Sequence, residues 1–136
     1  MKRIFFSTFA KAAVLPYVGG TIFHVLRLRL GFPIEEMPDE LDWVVIVVGG
    51  YACAGFLRFA REVRFRGPGD KLLYLLVIVH LGVSVVLHAY SLIVGHHQWA
   101  TVFPRGYSYF AVFYFVVLGA YCVALSRRLG TGAARP

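Results

Sequence analysis

Apolar residues fall into four long blocks, about residues 4–26, 43–60, 72–94 and 107–125, with most polar residues gathered between them. The blocks are nearly continuous rather than alternating, and each is close to the ~20 residues that a helix needs to cross ~30 Å of hydrocarbon. The connections carry turn residues: Gly31, Pro33 and Pro38, then Gly67-Pro68-Gly69, then Pro104 and Gly106. The pattern predicts an all-α integral membrane four-helix bundle of up-down topology, one membrane domain over residues 1–136.

Composition strengthens this reading. Of 136 residues, 59% are hydrophobic and 15% charged, against ~25% charged in an ordinary soluble domain. A soluble domain of this size has too little interior for so much apolar surface. The net charge of +7 does not point to nucleic acid. The basic residues sit in short clusters beside apolar blocks, with no basic stripe interleaved with exposed aromatics.

Their positions orient the chain. With the N-terminus inside, Lys2, Arg3, Arg58, Arg61, Arg64, Arg66, Lys71, Arg127, Arg128 and Arg135 face the cytoplasm, while Arg27, Arg29 and Arg105 face out. The outer first connection holds Glu35, Glu36, Asp39, Glu40 and Asp42, and Trp43 and Trp99 fall at the outer interface. This predicts a multi-pass protein of the cell membrane with both termini cytoplasmic. The first block also resembles a signal peptide behind Met1-Lys2-Arg3, but Lys11 interrupts it and it outlasts a usual h-region. Cleavage there would leave three spans. The cluster Arg58, Arg61, Arg64, Arg66 and Lys71 serves topology first and attracts anionic headgroups second. Lys11 is expected to snorkel to the inner surface, and Pro16 to kink the first span.

All seven acidic residues lie in connections or at block ends by this reading. A proton-coupled transporter needs a carboxylate inside the bilayer, so that class is disfavoured. No HExxH, GxSxG or phosphate loop occurs. Cys53 and Cys122 lie inside apolar blocks and read as small hydrophobes.

The third block carries the candidate chemistry. His80, Ser84, His88 and Ser91 fall on one helical face, and a polar stripe avoids lipid by facing the bundle interior. His24, His96 and His97 bring further imidazoles to the outer half. Gly20 and Gly50 are expected level with His88, where small residues relieve crowding for a neighbouring helix or for a flat cofactor. Two readings stand open. In the first, the histidines only fix helix packing. In the second, His24, His80 and His88, with Arg27, Gly20 and Gly50, hold b-type haem or a quinone, or His24, His88, His96 and His97 bind a metal. Three function classes follow: a non-catalytic subunit or accessory factor of a membrane complex, a haem- or quinone-binding electron-transfer subunit, and a small transporter or channel. The partners expected are membrane lipids and other membrane subunits, or further copies of the chain.

Overall fold

The computed structural model describes residues 2–130; Met1 and Arg135 lie outside the described residues. Among the described residues, four helical rods long and apolar enough to cross a membrane run over Phe5–Leu30, Asp39–Phe59, Pro68–Val94 and Tyr107–Leu129. The chain is an integral membrane four-helix bundle.

The first rod is α1, Lys2–Leu30. It continues through Pro16 without interruption. It ends at Gly31, whose φ of +69° is open to glycine at little cost. The second rod joins α2 (Asp39–Val44), a π-helical turn (Val45–Gly49) and α3 (Gly50–Phe59). Turns of that kind are rare and are frequent at functional sites. The third is α4, Pro68–Val94, which opens with proline in its first turn, where the missing N–H costs nothing. It ends at Gly95, φ +84°. A 3₁₀ turn at His96–Gln98 and the short α5, Trp99–Val102, lead to α6, Tyr107–Gly130.

The helices outrun the apolar blocks at their polar ends. Hydropathy marks only the lipid-matched part of a helix, while backbone hydrogen bonding continues into the interface. The difference matters most at the second rod, which begins at Asp39 and not at Trp43.

Helix α1 is the hub. It packs most extensively on α6 and next on α3, while α4 leans on the second rod and barely meets α6. The connections 31–38 and 95–106 meet at one end of the bundle, where Arg105 Nη2 donates to the Leu28 carbonyl at 2.8 Å. The start of α1, the end of α6 and the 60–67 connection meet at the other end. There Ser7 Oγ donates to the Ser126 carbonyl at 3.1 Å and Arg128 Nη1 to Asp70 Oδ2 at 2.8 Å.

The two halves are packed differently. In the half away from the connections 31–38 and 95–106, aromatic rings and close helix contacts fill the centre, beside an open recess of about 480 Å³ at Phe6, Phe59, Val63 and Leu129. Phe6, Phe56 and Tyr74 form an aromatic cluster with ring centroids 5.1–6.3 Å apart. A Cβ placed on Gly55 would fall 2.0 Å from Phe9, so α1 and α3 approach closely there, as small-residue packing in membranes allows. Gly119 does the same for α6, with Tyr17 Cβ 3.3 Å away. The half near the connections is hollow.

Candidate ligand cavity and its histidine–aspartate cluster

The hollow is a half-enclosed cavity of about 280 Å³ between α1, the second rod and α4, capped by residues of the two connections. Its wall is mostly apolar: Leu15, Phe23, Ile34, Met37, Val44, Leu81 and Leu87 line it, with Trp99, Phe103, Tyr107 and Phe115. The polar side chains on the wall include His24, His80, Ser84 and His88. The stripe on α4 therefore faces this space, and Ser91, one turn further, is buried beside it.

His80 and His24 are held by different serines. His80 Nε2 is 3.2 Å from Ser84 Oγ, one turn along the same helix. His24 Nδ1 is 3.0 Å from Ser108 Oγ on α6. Arg27, also buried, donates to the Phe103 carbonyl at 2.7 Å and to Ser108 Oγ at 3.4 Å. These bonds tie α1 to the last connection, and Arg27 does not reach the cavity wall. The Phe115 ring lies between the two histidines, 5.5 Å from His24 and 5.0 Å from His80.

His88 is held by a carboxylate. Its Nδ1 lies 2.5 Å from Oδ1 of Asp42. The other oxygen of Asp42 is 2.7 Å from His96 Nε2 and 3.0 Å from Ser91 Oγ. Asp42 is completely buried. A buried carboxylate survives only with such partners; here two imidazoles and a hydroxyl surround it. The tautomer in which His88 donates Nδ1–H to Asp42 leaves Nε2 as an acceptor toward the cavity. Trp99 lies edge-on to His88 at 5.0 Å and packs against His96 at 5.9 Å, so the indole walls the cluster on the connection side.

Asp42 is the residue that hydropathy misplaces. It reads as part of the acidic first connection, yet it lies in the first turn of α2 and under the bundle. A signal for it exists in the sequence. His88 and Ser91 share a face near the end of α4, and such buried donors need an acceptor at matching depth. Asp42, one residue before the apolar block, is at that depth. Ser108 and Phe115 carried no comparable signal.

The remaining candidates disperse. Gly20 lies on the wall, but the space beside it is filled: a Cβ there would meet Phe115 at 2.6 Å. Gly50 faces Val85 at ordinary contact distance and is away from the cavity. The four histidines considered as a metal group do not converge: His24 is on Ser108, His88 and His96 share Asp42, and His97 is exposed. Among the described residues, potential ligand atoms converge within 4.8 Å at Asp39, Asp42 and His96, where both Asp42 oxygens already accept hydrogen bonds. Arg58, Arg61, Arg64, Arg66 and Lys71 are all exposed at the opposite end.

No known protein family, curated protein or solved structure matches this chain.

Proposed function

We propose that this protein is a small membrane subunit that binds the ring headgroup of a quinone-class lipid in the cavity. The observation that carries the reading is His88, a cavity-wall imidazole fixed by a fully buried carboxylate. Quinone rings are flat and apolar, with carbonyl oxygens that accept hydrogen bonds and take up protons on reduction. An apolar wall with a few convergent polar groups suits such a ligand, and a histidine backed by a carboxylate is a suitable hydrogen-bond and proton partner.

Size favours a quinone over haem. A cavity of ~150 Å³ accommodates benzene, so about 280 Å³ takes one substituted six-membered ring. A tetrapyrrole plate would have to displace Phe115, which occupies the space over Gly20 and between His24 and His80. The electrons for quinone chemistry would pass to a redox centre on a partner subunit, which joins this reading to that of an accessory subunit in a membrane complex. By the distribution of basic residues the termini face the cytoplasm, so the cavity belongs to the outer half of the cell membrane.

Trp99 supplies the readout. Substituting the exposed Trp43 (W43F) leaves Trp99 as the single tryptophan, on the cavity wall. Ubiquinone-1 titrated into this protein in nanodiscs should quench Trp99 saturably. H88L should weaken binding about tenfold, the cost of one or two hydrogen bonds. Quenching that rises linearly and is unaltered in H88L would reflect partition into lipid and would reject the proposal.

Asp42 favours one second reading, a small proton-coupled transporter, because a carboxylate buried in a span is what that class requires. Substrate-driven acidification of proteoliposomes, abolished in D42N, would select it.

A further inference from the structure

We infer that His88, Asp42, His96 and Asp39 form a proton relay that connects the cavity to water at the connection end of the bundle. It deepens the quinone reading, since it supplies the route by which a bound ring would exchange protons, and it rests on that reading for its purpose.

The geometry is a chain of alternating imidazole and carboxylate groups. His88 lines the cavity and meets Asp42 Oδ1 through Nδ1. The opposite oxygen, Oδ2, meets Nε2 of His96 at 2.7 Å. The second nitrogen of His96, Nδ1, faces Asp39 Oδ1 at 4.0 Å, a gap that one water or a turn of the Asp39 side chain closes. From His88, 16% exposed at the cavity, the path passes through the fully buried Asp42 side chain and then gains exposure outward, His96 7% and Asp39 73%.

Both imidazoles are placed as a relay requires. A histidine that only braces a structure needs one of its nitrogens; a histidine that passes a proton needs one on each side. His96 has Asp42 on one nitrogen and Asp39 facing the other. His88 has Asp42 on Nδ1 and its ring on the cavity wall. A proton taken up at Nε2 makes His88 an imidazolium; its Nδ1–H then passes to Oδ1 of Asp42 as the proton of the neutral carboxyl leaves Oδ2 for Nε2 of His96, and His96 releases Nδ1–H toward Asp39 and water. No electron moves and no bond between heavy atoms changes. Ser91 Oγ, 3.0 Å from Oδ2, holds the carboxylate in place. The path follows from the fold, because Asp39 and Asp42 lie one turn apart on α2 and His96 follows the Gly95 turn that carries the chain back over Asp42.

The relay is tested by hydrogen exchange of histidine ring N–H groups with water, read by NMR on protein carrying isotope-labelled histidine in nanodiscs. The ring proton of His88 should exchange quickly in the wild type and about tenfold or more slowly in H96F, because a proton pathway is cut at its middle. His24, on Ser108, should exchange at the same rate in both and serves as the internal reference. D39N, at an exposed position that leaves the Asp42–His96 bond intact, should slow His88 by a smaller factor and guards against misfolding of H96F. Unchanged His88 exchange in both variants would overturn the relay. Ubiquinone-1 quenching of Trp99 separates the two proposals. Fast relay-dependent exchange without saturable quenching removes the quinone and keeps the relay, whereas saturable quenching with relay-independent exchange does the reverse.

Discussion

Asp42 Oδ1 and His88 Nδ1 lie 2.5 Å apart across 46 positions of sequence, and this contact joins the second span to the third at the rim of the cavity. With His96 and Ser91 on the other oxygen, the carboxylate fastens two spans and a connection to one point.

Removing that point should be costly. Asp42→Ala leaves His88, His96 and Ser91 without their shared acceptor, and breaking a buried charged network costs about 3–5 kcal/mol. Asp42→Asn keeps the shape and one acceptor oxygen and should cost less, about 1–3 kcal/mol. Denaturant unfolding in detergent, followed by circular dichroism, measures both. Wild-type stability in the alanine variant would mean that the carboxylate is not paired in the membrane.

Two glycines of α1 and α3 should respond in opposite directions. Gly55→Ala places a methyl against Phe9, with the Phe9 Cβ itself only 2.6 Å away, so the helices must separate, at about 1–3 kcal/mol. Gly19 has nothing within 4 Å of a built Cβ, so Gly19→Ala should be neutral or stabilise by up to about 1 kcal/mol. The same unfolding assay ranks the pair, and equal effects would refute the close approach of α1 and α3.

Tyr17 is buried in the core, and its hydroxyl has no hydrogen-bond partner among the described residues. Burying a lone hydroxyl costs about 1–3 kcal/mol. Tyr17→Phe should therefore leave stability unchanged or raise it by about 1 kcal/mol. Clear destabilisation, seen as a lower midpoint of thermal unfolding, would reveal a partner such as a bound water.

The far end of the bundle should be separable from the cavity. Asp70 accepts from Arg128 Nη1 at 2.8 Å, Tyr121 Oη at 2.9 Å and the Arg66 amide at 2.9 Å. Asp70→Ala should lower stability by about 1–3 kcal/mol while ubiquinone-1 affinity, read from Trp99 quenching, stays within about twofold, since distant sites act independently. A matching loss of affinity would show that the two halves are coupled.

The number of spans and their approximate limits were legible because crossing hydrocarbon demands a long uninterrupted apolar run, and that demand is written residue by residue. The stripe of His80, Ser84, His88 and Ser91 was legible for a similar reason: helical periodicity places them on one face whatever surrounds them. The positions of His24 and His88 near the outer ends of their blocks put them in the same half, and both are on the cavity wall.

What fills the space beside a given residue was not legible. Glycine at a given depth makes room equally for a cofactor or for a neighbouring side chain, and only the packed bundle puts Phe115 over Gly20 and Phe9 against Gly55. Asp42 was hidden for a related reason. Hydropathy averages over a window and assigns a charged residue at a block edge to water, whereas its real environment depends on what the rest of the bundle lays over it. The sequence by itself determined four membrane-crossing helices and a polar face on the third, since local apolar length and periodicity control both. The tertiary structure alone decided that Asp42 lies beneath the connections with His88, Ser91 and His96 around it, because burial and pairing arise from contacts between segments that are far apart in the chain.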